Sequence, residues 1–149
     1  MFDSAIKNII EKSYNQIKDI NSIDTFLEEN LINSSVERLS LVNGYPSILI
    51  FLAEVSNFLK DEEPLDIAYK YVLKMKKEIE KNGYIDGSLS IGLSGILYSI
   101  YRVSDNCKRY NSLIKSLNYL LTKEAEKYIK KFINTNPPTY YTYDCATRC

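Results

Sequence analysis

The chain contains Ser40-Leu41-Val42-Asn43-Gly44-Tyr45-Pro46-Ser47-Ile48-Leu49 and, 48 residues later, Ser88-Leu89-Ser90-Ile91-Gly92-Leu93-Ser94-Gly95-Ile96-Leu97. When Gly44 is aligned with Gly92, five of the ten positions carry the same residue. Self-similarity at a period of about 20–50 residues is typical of stacked helical hairpins or of a closed ring of them. The two peptides therefore predict an internal structural repeat, in which each peptide leads into a helix.

The segments around these peptides have apolar residues at helical spacing. Two short helices are predicted to be apolar on most sides and therefore buried, over 46–60 and 94–103. Longer amphipathic helices are predicted over 1–20, 64–81 and 106–134, with a shorter one over 23–31. No segment alternates apolar and polar residues as a strand does. The chain is therefore predicted to be all-α, with the apolar helices in an inner layer and the amphipathic ones outside.

Particular residues fix the details of these predicted helices. Asp105 and Asn106 are predicted to cap the last helix. Asn136-Pro137-Pro138 is predicted to stop it, which leaves 135–149 as an irregular tail after helix pairs over 1–134. Apolar residues predicted to face inward are Ile6, Ile9, Ile10, Ile17 and Ile20 in the first helix, and Leu113, Leu117, Leu121, Ile129 and Ile133 in the last.

Composition excludes several classes of function. Of the 149 residues, 45% are hydrophobic and 26% are charged, which is typical of a globular domain. Nineteen basic and nineteen acidic residues cancel, so no net positive field favours nucleic acid. The absence of histidine excludes catalytic triads and any zinc site that needs a histidine ligand. With no secretory signal and no apolar run long enough to span a bilayer, a cytoplasmic location is predicted.

At the two repeated peptides the chain resembles the lanthionine synthetase C-like family, the cyclases of lanthipeptide biosynthesis. Gly92-Leu93-Ser94-Gly95-Ile96 fits the Gly-Leu-Ser-Gly-Ile element that precedes inner helices in that family, and Gly44-Tyr45-Pro46-Ser47-Ile48 is a degenerate copy. The resemblance covers residues 1–144 and implies helical hairpins that form an incomplete arc of an α/α toroid. It also implies that this chain corresponds to the N-terminal part of a longer enzyme.

The resemblance carries expectations about chemistry. The family uses zinc, held by two cysteines and a histidine, to add peptide thiols to dehydroalanine or dehydrobutyrine and so form thioether rings. Thr142-Tyr143-Asp144 matches the start of the family's third inner helix, which assigns Asp144 a catalytic role by resemblance. Gly44, Gly92 and Gly95 are assigned to the structural repeat. No metal site is assigned in this chain, since Cys145 and Cys149 do not match the family's ligand positions and two thiolates are half of a structural zinc site.

The last five residues depart from the family pattern, because Cys145-Ala146-Thr147-Arg148-Cys149 contains no glycine. We hypothesise a truncated or frameshifted third repeat after Asp144, which the coding DNA would test. The chain alone is then expected to be inactive, and its exposed apolar helices are expected to favour self-association. Expected partners are a lanthipeptide precursor and a dehydratase. The alternative is a non-catalytic helical-repeat module whose tyrosines, thirteen in all, bind a precursor peptide or a biosynthetic enzyme.

Overall fold

The computed structural model describes residues 2–30 and 34–134. Within these ranges the chain forms seven helices and no strand, which confirms the all-α prediction. The helices are α1 (Phe2–Ile17), α2 (Ile20–Glu29), α3 (Ser35–Arg38), α4 (Tyr45–Leu59), α5 (Glu63–Asn82), α6 (Leu93–Arg102) and α7 (Asn111–Asn134). The predicted tail over 135–149 lies outside the described residues.

The helices pack in two layers. The apolar helix α4 packs against α5 and α6, and α6 in turn packs against α7. Helix α1 contacts both α4 and α2, while α3 packs on α5. The core is centred on α4 and α6, with fully buried side chains at Leu49, Leu52, Val55, Ile96 and Ile100. The result is an arc of helical hairpins with α4 and α6 as its inner layer.

Helices α4 and α5 begin and end where the sequence indicates. Each has a proline in its first turn, Pro46 and Pro64, where the missing N–H group costs no helical hydrogen bond. Helix α4 ends at Leu59, and the next residue, Lys60, breaks the helical path with its left-handed conformation (φ 55°). Helix α5 ends at Asn82, and the next residue, Gly83, has a φ of 71° that strongly favours glycine. Both helices begin and end within one residue of their predicted bounds.

The N-terminal region differs from the prediction of one helix over 1–20. Helix α1 ends at Ile17, and Asp19 starts a new helix by accepting a hydrogen bond from the backbone N–H of Asn21. The four-residue helix α3 was missed altogether. It is held by a capping box, in which the side chains of Ser34 and Glu37 each bond the other residue's backbone. Local polar caps therefore end the first helix at Ile17 and start the second at Ile20, where apolar spacing predicts an end at 20 and a start at 23.

Helix α7 corrects two further predictions. It begins at Asn111 rather than at 106, because Asp105 and Asn106 take left-handed φ angles of 48° and 55° that do not suit a helix start. Ile129 and Ile133, predicted to face inward, are 58% and 72% exposed. The physical reason is length: α7 has 24 residues, whereas its inner neighbour α6 has 10 and cannot cover the last turns.

Helix α1 also exposes apolar residues, in the half of the helix nearer its N-terminus. Ile6 and Ile9 were predicted to face inward but are exposed, whereas Ile10 and Ile17 pack on the core as predicted. In the part of the chain that the structure describes, no helix combines the length and apolar character that crossing a membrane requires.

Candidate functional site

The candidate site is built from the loops that lead into the two inner helices. The first glycine turn (residues 38–47) places Gly44 directly before α4 as its N-cap, with φ −109° and ψ −168°. The N–H of Gly44 donates to the carbonyl of Ser40 at 2.9 Å. The hydroxyl of Ser47 donates back to the carbonyl of Gly44 at 2.8 Å. These bonds fix the direction in which α4 starts.

The second glycine turn (residues 86–95) repeats this backbone. Gly92 is the N-cap of α6, with φ −120° and ψ −167°. The N–H of Leu93 donates to the carbonyl of Asp86 at 2.7 Å. The carboxylate of Asp86 accepts from the N–H of Ser88 at 2.8 Å, so Asp86 holds the turn at both ends. Asp86 was not singled out from the sequence, although it lies six residues before Gly92, as Arg38 does before Gly44.

Glycine is required in both turns because the backbone approaches itself too closely for a side chain. A Cβ atom on Gly44 would lie 2.2 Å from the carbonyl oxygen of Arg38. On Gly92 it would lie 2.5 Å from the carbonyl oxygen of Asp86, and on Gly95 2.2 Å from that of Leu89. In all three cases the obstructing carbonyl belongs to the residue six positions earlier. The repeated glycines thus share one local geometry.

The two turns contact each other directly. The N–H of Leu41 in the first turn donates to the carbonyl of Ser90 in the second at 2.7 Å. Further along the helices, Arg102 of α6 forms an ion pair with Glu54 of α4, the residue 48 positions earlier. Because both ends of the helix pair are joined in register, α4 and α6 run side by side in the same direction. Their N-terminal ends therefore lie on the same side of the arc.

A polar cluster around Tyr45 anchors the first turn to the outer helices. The buried Tyr45 hydroxyl donates to Asp24 of α2 at 2.6 Å and accepts from Arg38 at 3.4 Å. Lys74 of α5 forms an ion pair with the same carboxylate. Burial and the bond to Asp24 raise the pKa of Tyr45, so its hydroxyl stays protonated. Burial alone would raise the pKa of Asp24, but the bonds from Lys74 and Tyr45 outweigh it and lower that pKa overall.

Within residues 2–30 and 34–134 the second turn has no such cluster, because Leu93 occupies the position of Tyr45. The repeated serines differ as well. The hydroxyl oxygen of Ser40 accepts from the N–H of Val42 at 3.1 Å. The hydroxyl of Ser88 is buried without a hydrogen-bond partner among the described residues, beside a cavity of about 250 Å³ formed with α7. The two turns share a backbone but not their polar surroundings.

The residue assigned to catalysis by resemblance belongs to the C-terminal segment of the sequence, after α7. Asp144, Cys145 and Cys149 all lie outside the described residues. Across residues 2–30 and 34–134, no group of three or more histidine, cysteine or acidic side chains is arranged to hold a metal ion. Cys107 has a free, half-buried thiol after α6. The described part of the site is a scaffold of helix ends rather than a set of catalytic groups.

Comparison with known proteins identifies what this scaffold is similar to. A family model described as lanthionine synthetase C-like protein matches residues 35–145, which include both glycine turns. Among curated proteins, the nisin biosynthesis protein NisC of Lactococcus lactis subsp. lactis is 29% identical over 124 residues, a match that covers 78% of this chain. The match covers 28% of the length of that relative.

Proposed function

The chain belongs to the lanthionine synthetase C-like family, and from that premise we propose that it is the N-terminal portion of a lanthipeptide cyclase. The observation that carries the proposal is the pair of glycine turns, joined by the bond from Leu41 to Ser90 and lying within the matched residues. The complete enzyme would add cysteine thiols of a precursor peptide to dehydroalanine or dehydrobutyrine. Its partners would be that precursor and the dehydratase that prepares it, in the cytoplasm.

In this proposal the described residues contribute shape rather than chemistry. The glycine turns set where the inner helices begin, and the buried helices α4 and α6 keep those ends in register. Asp144 is the one residue proposed to act in catalysis. What supports this role is its family resemblance and its position inside the matched range. A carboxylate is chemically suited to exchanging a proton with substrate.

The residues of this chain do not fit the zinc site that the family implies. That site needs a histidine and two cysteines, and this sequence contains no histidine. Its described residues also contain no metal-binding cluster of three or more suitable side chains. A free thiol is mostly protonated at neutral pH, with a pKa of about 8.5, and needs activation to add to an alkene. We therefore propose that this chain alone forms no thioether rings.

The test is a cyclisation assay on the purified 149-residue chain. A dehydrated precursor peptide is incubated with the chain and zinc, and the remaining thiols are then alkylated and counted by mass spectrometry. We expect the same alkylation as in a sample without protein, while a complete cyclase of the family removes the thiols. Zinc-dependent loss of thiols with this chain alone would contradict the proposal of inactivity.

A second candidate function is a non-catalytic module that binds a peptide, and the exposure of several tyrosines favours it. Tyr69, Tyr84 and Tyr119 on and beside the outer helices each expose half of their side chain or more. Exposed tyrosines offer apolar contact area together with a hydroxyl group, a combination enriched at binding surfaces. By contrast Tyr14, Tyr45 and Tyr71 are buried in packing roles.

The module function is tested by titrating a fluorescently labelled precursor peptide with the chain and following anisotropy. If the module function holds, the peptide binds and replacing Tyr84 and Tyr119 together by serine weakens binding at least about tenfold, the scale of one interface hot spot. The matched control is Tyr14→Phe, which changes a buried tyrosine. Binding that is unaffected by the exposed pair, or no binding, would exclude this function for that surface.

A further inference from the structure

A cavity lies between the outer helices α5 and α7, behind the second glycine turn. It has a volume of about 240 Å³ and apolar walls formed by Ile79, Ile85, Leu93 and Leu120. Ile79 belongs to α5 and Leu120 to α7, while Leu93 is part of the turn. We call this cavity the outer pocket. Its volume is below the roughly 300–1,000 Å³ of sites for whole small molecules, so it suits one large side chain.

The outer pocket is enclosed by helices that are both present, so it does not arise where the sequence stops. At 3.6 residues per turn, Leu120, Lys123 and Lys127 share the side of α7 that faces α5. Ala125 and Ile129 lie on the opposite side, where they line a separate cavity. A following helix pair would extend the arc on that opposite side and would leave the mouth of the outer pocket open.

The rim of the outer pocket carries exposed ammonium groups. Lys123 and Lys127 line the mouth with side chains that are 48% and 67% exposed. Glu124 also lines the pocket, but its side chain is 9% exposed, accepts a hydrogen bond from the Tyr84 hydroxyl at 3.1 Å and pairs with Lys127. Lys123 pairs with Glu126, an exposed pair of the kind that contributes little and exchanges readily. The carboxylate inside the pocket is therefore already satisfied, while the cations reach solvent.

The helix ends around the outer pocket strengthen this positive field. Residues 76–82 and 123–134 together carry seven lysines and four glutamates, although the whole chain is neutral. Charge complementarity at a binding surface steers a partner and selects it over others. An apolar cavity with a cationic rim is complementary to an apolar side chain that has carboxylates on either side of it. Such a side chain is presented by an acidic peptide segment.

We propose that the outer pocket binds one large apolar side chain from an acidic segment of the precursor peptide, whose carboxylates contact Lys123 and Lys127. This inference rests on the proposed function, which supplies a flexible peptide as the partner. Because Leu93 belongs to both the pocket wall and the second glycine turn, the bound segment lies at the end of the arc where α6 begins. The pocket then holds the precursor at a point separate from its reacting thiols.

The first test uses a labelled synthetic peptide in which one leucine is flanked by aspartates, with binding to the 149-residue chain followed by anisotropy. Replacing that leucine by alanine should weaken binding at least about tenfold, because buried apolar area is lost. Replacing the aspartates by asparagines should weaken it several-fold, and added salt should weaken the original peptide more than the asparagine peptide. Equal binding of all three peptides, or no binding, would overturn the proposal.

The second test changes the pocket. Leu120→Trp should fill its mouth and Lys123→Glu should reverse the charge of its rim, and each should weaken the synthetic peptide at least about tenfold. Both residues are about half exposed, so the fold should survive, as circular dichroism would show. Lys115→Glu is the matched control, because it makes the same charge change in α7 about 12 Å away along the helix axis. Binding that tolerates both pocket variants, or that Lys115→Glu weakens equally, would overturn the proposal.

The third test asks whether unlabelled dehydrated precursor displaces the synthetic peptide from the wild-type chain. We expect full displacement, and we expect Leu120→Trp to weaken precursor binding in parallel with binding of the synthetic peptide. A precursor that leaves the synthetic peptide bound would overturn the proposed occupant. That result would leave the cyclase assignment intact, because the assignment is judged by ring formation in the complete enzyme.

Discussion

Among the residues that the structure describes, the first glycine turn is enclosed on both sides, whereas the second is enclosed on one. Leu41 in the first turn is half-buried against Gly95 and bonded to Ser90, while Leu89 in the second is 50% exposed. Yet Gly44 and Gly92 have nearly the same backbone angles and the same close approach to a carbonyl six residues earlier. The geometry of each turn is therefore a local property of its sequence, to which neighbouring elements add polar anchors and burial.

The largest expected effect tests whether the two turns are equivalent. Gly44→Ala and Gly92→Ala should each lower the free energy of unfolding by about 3 kcal/mol, because a Cβ meets backbone atoms that cannot move aside cheaply. Urea denaturation would measure this.

The matched control for these variants is Gly87→Ala. A Cβ there would meet its nearest neighbours at an ordinary 3.5 Å, so stability should change by less than about 1 kcal/mol. A large loss for only one of Gly44→Ala and Gly92→Ala would show that the turns are not structural copies.

The next largest expected loss of stability compares how deeply the two inner helices, α4 and α6, are buried. Leu49 is fully buried in α4, whereas its equivalent Leu97 in α6 is only partly buried against the core. Leu49→Ala should cost about 3 kcal/mol of unfolding free energy, and Leu97→Ala about half as much. Thermal or urea unfolding of the two variants gives the comparison. Equal losses would indicate that α6 is as enclosed as α4.

A smaller effect tests the polar anchor that only the first turn has. Tyr45→Phe removes the hydroxyl that donates to Asp24 and accepts from Arg38, which should cost about 1–2 kcal/mol. Tyr119→Phe, which changes an exposed hydroxyl on α7, should change stability by less than about 0.5 kcal/mol. If Tyr45→Phe is equally neutral, the cluster does not anchor the turn.

The smallest effect concerns the ion pair that links α4 to α6. Arg102 and Glu54 are both substantially exposed, so water and salt screen their attraction. Arg102→Gln should therefore lower the unfolding free energy by less than about 1 kcal/mol, and the loss should shrink as salt is added. A larger, salt-independent loss would mean that the pair, rather than the apolar faces, holds the inner helices in register.

The repeat explains which parts of the structure were predictable. The starts of α4 and α6 followed from Gly44 and Gly92, because a close backbone approach leaves a signal in single residues. The predicted start of α7 was wrong. The left-handed φ angles of Asp105, Asn106 and Cys107 belong to a turn, and the spacing of apolar residues carries no information about that turn. Ile129 was misplaced because its exposure depends on the length of α6, a different helix.

The candidate site was likewise predictable only in part from the sequence. The glycines of the repeat were found from their alignment, but the cluster of Asp24, Tyr45 and Lys74 was not, because its members come from three helices far apart in sequence. The bond from Leu41 to Ser90 was also invisible, since it depends on how α4 and α6 pack. Asp144 stays a prediction from family resemblance.

The most direct test of the central claim, that the turns are copies of which one is closed and one open, is amide hydrogen exchange. It would be measured by NMR on the 149-residue chain. We predict that the Leu41 amide, bonded to Ser90, exchanges at least about a hundredfold more slowly than the Leu89 amide. Equal exchange rates at the two leucines would contradict the account.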